Sequence, residues 1–267
     1  MIHPALERAA VFCEAYDLRS PVLMAPMAGA CPTDLSTAVA RAGGMGACGA
    51  LLMQPDAISK WAAEHRTRTN GAFQMNLWIP DPAPDRNPGQ EAAVRAFLAE
   101  WGPEPDPAAP DVPSLDFEAQ CDAMLAAGPA VISSIMGLYP PAMVERMKAQ
   151  GIKWFATATT VGEARAAQSA GADVIIAQGM EAGGHRGTFE ASAAETAMVG
   201  LFSLLPAVVD AVDIPVVATG GIADGRSAAA ALILGASAVQ IGTALLRSPE
   251  AAVPSAWADA LFGTAPQ

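Results

Sequence analysis

Eight short apolar runs recur along this chain, starting near residues 21, 45, 73, 130, 153, 173, 215 and 238, and each is followed by a helical pattern or by the chain end. No other feature narrows the fold as much. Runs such as Val174-Ile175-Ile176-Ala177 and Pro215-Val216-Val217-Ala218-Thr219 do not alternate with polar residues, as expected of parallel strands covered on both faces. The first helical stretch, 33–43, offers Thr33 as N-cap and Gly43 as its stop. Further helices are expected near 55–64, 141–149, 161–170, 198–211, 225–234 and 254–262. Eight β-α units in a row predict one (β/α)8 TIM barrel over residues 1–267, because a closed parallel sheet leaves no edge and helices cover its outside. A doubly wound open sheet is the alternative, but nothing in the order of elements divides the chain into two halves.

The rhythm breaks once, after strand three (73–79). Residues 80–115 carry prolines at 80, 82, 84, 88, 103, 105, 107, 110 and 113 around one helical island, 91–101, a density that forbids long regular elements. This Pro-rich excursion leaves the top of the barrel and is either a lid or substrate wall or a plain surface loop. A second helix, 116–127, leads back to strand four.

Hydrophobic residues make up 52% of the chain and charged residues 16%, with mean hydropathy +0.29, which supplies a core and argues against disorder. A net charge of -12 excludes a nucleic-acid binder, since phosphate neutralisation needs clustered Lys and Arg. Cys13, Cys31, Cys48 and Cys121 show neither C-x-x-C nor zinc-ligand spacing with histidine, so they read as reduced, buried thiols and no metal is expected. Residues 1–20 lack the apolar core of a signal peptide, and no run approaches the ~20 apolar residues of a membrane span. The expectation is a cytoplasmic protein with no membrane contact; a homodimer is compatible with it.

Chemistry concentrates where barrel strands end. After strand six comes Gln178-Gly179-Met180-Glu181-Ala182-Gly183-Gly184-His185-Arg186-Gly187, in which glycines permit close approach to a ligand and His185 can move protons near neutral pH. His3 and His65, the latter between Glu64 and Arg66 at a helix end, read as solvated. Loops after strands seven and eight commonly hold phosphate in such barrels. Here they are Thr219-Gly220-Gly221-Ile222 and Gln240-Ile241-Gly242-Thr243, whose glycines can present bare N–H groups and whose Thr243 adds a hydroxyl. Ala25-Pro26-Met27 offers a small apolar shelf, and Asn76 and Gln178 are amides able to donate and accept, a mixture that suits a flavin.

Met24 to Gly29, Asn76, the Gly-Met-Glu-Ala-Gly-Gly-His stretch, the Gly-Gly-Ile-Ala-Asp-Gly stretch and Gln240 to Thr243 together resemble the nitronate monooxygenase family, formerly called 2-nitropropane dioxygenases, in the same order over nearly the whole chain. The resemblance implies an FMN-binding barrel in which Ala25, Asn76, Gln178, Gly183, Gly184, Gly220, Gly221, Gln240, Ile241, Gly242 and Thr243 touch the cofactor. It further implies that His185 is the catalytic base in oxidation of nitroalkanes or nitronates by dioxygen to carbonyl compounds and nitrite. There are two departures from the pattern. Many family members continue beyond the helix that follows strand eight, and Ser133 to Tyr139 lacks an aromatic run common in nitronate-oxidising relatives. FMN-dependent enoyl-acyl-carrier-protein reductases and NAD(P)H:quinone reductases share both loops and form the rival reading; a catalytically silent flavin carrier is a third.

Overall fold

The structure, a computed structural model, describes residues 2–82, 85–103, 106 and 115–263. Its strands are β1 (Val22–Met24), β2 (Gly46–Gly49), β3 (Phe73–Trp78), β4 (Val131–Ile135), β5 (Lys153–Ala158), β6 (Val174–Gln178), β7 (Val216–Thr219) and β8 (Ala238–Ile241). All pair in parallel, in the order β1-β8-β7-β6-β5-β4-β3-β2. The two ends of that order meet at a bridge between Leu23 and Met45. There Met24 N donates to Met45 O at 2.9 Å and Met45 N to Val22 O at 3.0 Å, so the sheet closes into a barrel as the sequence predicts.

Helices α1 (Pro4–Ala15), α2 (Thr33–Arg41), α3 (Pro55–Arg68), α4 (Pro88–Ala99), α5 (Phe117–Ala127), α6 (Pro141–Ala149), α7 (Val161–Ala170), α8 (Leu201–Val209), α9 (Gly225–Ile233) and α10 (Ser255–Gly263) fill the connections. Strand side chains alternate between the helix layer and the barrel interior. Trp154, Ala156, Ile175 and Ala177 face the helices with Ile58, Trp61, Met124, Met147 and Leu204. Phe155, Val174, Ile176, Val131 and Val217 point into the barrel. Phe12 of α1 joins the interior set, and Tyr16 sets its ring edge-on to Phe155 at 5.2 Å, so α1 plugs the end where the strands begin. Function is thereby left to the other end.

Three expectations need correction. Thr33 is the first helical residue of α2 and not its cap: Pro32 holds the capping position with φ -66 and ψ 171 and makes no side-chain bond, and its carbonyl accepts the first helical bond, from Ser36 N at 3.2 Å. His65 is fully buried, since it lies on the same stripe of α3 as Ile58, Trp61 and Ala62. The helix expected at 198–211 spans only Leu201–Val209. His3 is exposed as expected, and its Nδ1 accepts from Ala5 N at 3.2 Å as the cap of α1. All four cysteines are buried and free, and burial raises the pKa of each thiol. The lid or wall expected of 80–115 falls partly outside the described residues; α4, within it, buries no side chain.

Candidate active site

The face that carries Phe155 and Val174 low in the barrel carries polar side chains higher up, because residues two apart on a strand share a side. Asn76, Ser133, Thr157, Gln178, Thr219 and Gln240 form this upper layer, and every one is buried. They hold one another in place. Asn76 Nδ2 donates to Ser133 O at 3.2 Å and to Ser133 Oγ at 3.1 Å. Thr219 Oγ1 donates to Gln240 O at 3.0 Å. Gln74, one pair lower on β3, donates through Nε2 to Met24 O at 2.9 Å and to Gln240 Oε1 at 3.0 Å. That leaves Gln74 Oε1 buried with no acceptor role filled.

Above this layer the loops after β1, β6, β7 and β8 converge. Ala25 N donates to Ile241 O at 2.8 Å. A Cβ on Gly242 would stand 3.2 Å from Ala25 Cβ, and one on Gly183 would stand 2.6 Å from Thr243 Oγ1. Gly220 and Gly221 take φ of 112° and 66°, a left-handed conformation that glycine adopts without penalty. A Cβ on Gly220 would press on Ala182 N at 3.0 Å. Among the described residues, no protein acceptor takes the backbone N–H of Gly220, Gly221, Gly242 or Thr243. These four donors and the orphaned Gln74 carbonyl sit beside a ring of amides and hydroxyls. The residues therefore fit an anionic group at the β7 and β8 loops with a polar, planar body beside it.

The loop after β6 is pinned by Gln178, whose Nε2 donates to His185 O at 3.1 Å and whose Oε1 accepts from Gly187 N at 2.7 Å. Arg186 extends the latch, with Nη1 to Gln178 O at 3.3 Å and Nη2 to Ala197 O at 3.0 Å. Burial lowers the pKa of its guanidinium, and Glu163 and Glu181 oppose that shift. His185 itself is exposed at the open end of the barrel. Its ring meets Trp78, the last residue of β3, with centroids 4.5 Å apart at 62°. The structure thus brings together Ala25, Gln178, Gly183, Gly220, Gly221, Gln240, Ile241, Gly242 and Thr243, with Gly184 beside them at φ 81° and open space around its α-carbon. Asn76 joins from below through β3.

Four residues at this end were not singled out from sequence. Trp78 ends a recognised strand, and its parity with Asn76 was a usable signal. Ser133 pairs directly with Asn76 across β3 and β4. Glu181 accepts from Leu201 N with both carboxylate oxygens at 2.9 Å, which sets the start of α8. Glu163 bonds Thr188 Oγ1 and Phe189 N, both at 2.8 Å. The described residues hold no cluster of three or more His, Cys, Asp or Glu placed to bind a metal. No described helix is long and apolar enough to cross a membrane.

A family model for nitronate monooxygenase matches residues 12–263. A probable nitronate monooxygenase of Staphylococcus saprophyticus is 36% identical over 238 residues, covering 88% of this chain and 67% of the relative. A nitronate monooxygenase of Pseudomonas aeruginosa is 36% identical over 261 residues, covering 94% and 73%. Among solved structures, a nitroalkane oxidase from Streptomyces ansochromogenes superposes with TM-score 0.81 at 36% identity, covering 91% of this chain and 70% of that one. FabK from Thermotoga maritima follows at TM-score 0.72 and 30% identity, covering 93% and 66%. Matched by the family model from α1 to α10 and by relatives over most of its length, the chain belongs to the nitronate monooxygenase family.

Proposed function

We propose that this protein oxidises alkyl nitronates and nitroalkanes with dioxygen to carbonyl compounds and nitrite, using FMN bound at the open end of the barrel. Membership in a flavin-dependent family supports the cofactor class, and the four free N–H groups at Gly220, Gly221, Gly242 and Thr243 support a flavin that carries a phosphate. Gly183, Gly184 and Ala25 would line its ring, with Asn76, Gln178, Gln240 and Ile241 beneath. When bound, FMN supplies the electron acceptor and the means of reacting with dioxygen.

The protein's own part is to bind, orient and deprotonate. A neutral nitroalkane has no negative charge to offer until the proton α to the nitro group leaves. His185 takes that proton on a ring nitrogen, and the electron pair of the broken C–H bond moves into the nitro group to give the nitronate. A substrate supplied as nitronate skips this step, and His185 then only orients the anion. The observation that carries the reading is the position of His185: it is exposed over the polar layer, its backbone is fixed by Gln178, and no hydrogen bond from the described residues occupies its ring. Exchange of His185→Asn should lower turnover of neutral nitroalkanes by about a hundredfold or more while the purified protein keeps its flavin absorption. Unchanged turnover would overturn the base role.

The likeness to FabK favours a second reading, an NAD(P)H-dependent flavin reductase on the same scaffold. Anaerobic mixing separates the two. Rapid bleaching of the flavin by NADH or NADPH at low concentration supports the reductase, and bleaching by a nitronate alone supports the monooxygenase.

A further inference from the structure

We propose that Trp78 is the residue that orients the His185 imidazole, a positioning role that rests on the base function proposed above. A general base normally has a third group that holds its ring by a hydrogen bond. His185 lacks one: its carbonyl is taken by Gln178 and its neighbours Arg186 and Gly187 are anchored, yet neither ring nitrogen bonds any described residue. The backbone is therefore fixed, and the ring remains free to turn about its own torsions. The edge-to-face contact with Trp78, 4.5 Å between centroids, is the contact that restrains it.

Trp78 is well placed to do this. It closes β3 in register with Ile135 of β4, and the next amide, Ile79 N, donates to Ile135 O at 3.0 Å, so the indole grows from the rigid rim of the barrel. The His185 loop, by contrast, depends on Gly184 at φ 81°, a position without side-chain support. A rigid strand end thus restrains a group carried on a glycine loop. Because proton abstraction demands near-attack geometry, a ring released from the indole should abstract less often. Once the substrate is already ionised, the same release should matter far less.

The measured quantity is the ratio of kcat on a neutral nitroalkane to kcat on its pre-ionised nitronate. Trp78→Ala should lower this ratio by about threefold to tenfold, and Trp78→Phe, which keeps an aromatic face, should restore most of it. Adding Trp78→Ala to His185→Asn should change the ratio no further, because Trp78 acts through the imidazole. The ring contact itself is checked by proton NMR of the carbon-bound imidazole signals, which are few because the chain has 3 histidines. The signals that His185→Asn removes should carry a ring-current shift in the wild type and in Trp78→Phe, and lose it in Trp78→Ala.

If Trp78 is only a wall of the substrate site, Trp78→Ala raises KM for both substrates and leaves the kcat ratio at its wild-type value although the ring-current shift is lost; that result overturns the proposal. If His185→Asn keeps the wild-type ratio, the base reading fails, whatever Trp78 does. If His185→Asn collapses the ratio and Trp78→Ala leaves it intact, the base stands and the positioning role falls.

Discussion

At the scale of single residues, the two histidines inside the fold have opposite fates. His185 is exposed at the open end of the barrel, whereas His65 is sealed between Trp61, whose ring stacks on it at 5.3 Å, and Phe73 at 4.7 Å. Among the described residues neither ring nitrogen of His65 has a partner, and the buried Ser36 Oγ and Trp61 Nε1 nearby are also unsatisfied. Burial first, and the Arg66 charge second, lower its pKa from 6.5 to about 4. The folded state therefore holds His65 neutral while the unfolded chain binds a proton below pH 6.5. Its contribution to stability is intact above 6.5 and is lost as pH falls from there through about 4, on the order of 3 kcal/mol in all. Urea midpoints measured from pH 7 to 4 should fall less steeply in His65→Leu than in the wild type. At neutral pH the substitution should cost little, because it removes two unsatisfied nitrogens with the ring; parallel pH curves would refute this account. Position 65 reads as solvated from its charged neighbours Glu64 and Arg66. The apolar stripe Ile58, Trp61, Ala62 is the stronger signal, since helical spacing outranks adjacency in sequence.

At the scale of elements, the long connection after β6 is held by two carboxylates whose partners are distant in sequence. One oxygen of Glu163 accepts from Thr159 N at 2.7 Å, Thr159 Oγ1 at 2.8 Å and Thr160 N at 3.1 Å. The other takes Thr188 Oγ1 and Phe189 N, so the start of α7 and the outgoing half of the His185 loop share a single side chain. Thr160 caps α7 in return, a capping box that the Thr-x-x-Glu spacing makes legible. The link to residues 188 and 189 is not legible, because it depends on barrel closure. Glu163→Ala should destabilise the fold by about 3 kcal/mol by leaving several half-buried donors unpaired. It should also speed hydrogen exchange at Phe189 more than at strand amides, a pattern that exchange mass spectrometry can resolve; uniform exchange would argue against the latch. The same logic explains why the helix expected at 198–211 is shorter. Glu181 grips Leu201 N and fixes the first turn there, a bond no local pattern announces.

At the scale of the whole molecule, the barrel is legible because the β-α period is carried by eight apolar runs whose order shows no division into two halves. The seam where it closes is not. β1 and β2 meet at the single bridge Leu23–Met45, and the glycines that thin β2 in the sequence are there because other elements press on them. A Cβ on Gly46 would collide with Ser36 Oγ of α2 and stand 2.8 Å from Ser36 O. A Cβ on Gly49 would stand 2.7 Å from Ala28 N and 3.1 Å from Met27 C, in the loop after β1. That loop reaches the proposed cofactor site, where Met27 Sδ lies 3.5 Å from the Cβ position of Gly242. One seam therefore has a structural end and a functional end, and two substitutions separate them. Gly46→Ala should destabilise the protein by about 1–3 kcal/mol through overpacking, yet leave FMN affinity within about twofold, as expected for sites without shared partners. Gly49→Ala should displace Met27 and Ala28 and weaken FMN binding well beyond its effect on stability. Fluorescence titration of apoprotein with FMN, run beside urea denaturation of both variants, checks the contrast. Equal loss of affinity in the two variants would mean that the loop after β1 does not shape the cofactor site, and the shelf assigned to Ala25 would have to be given up.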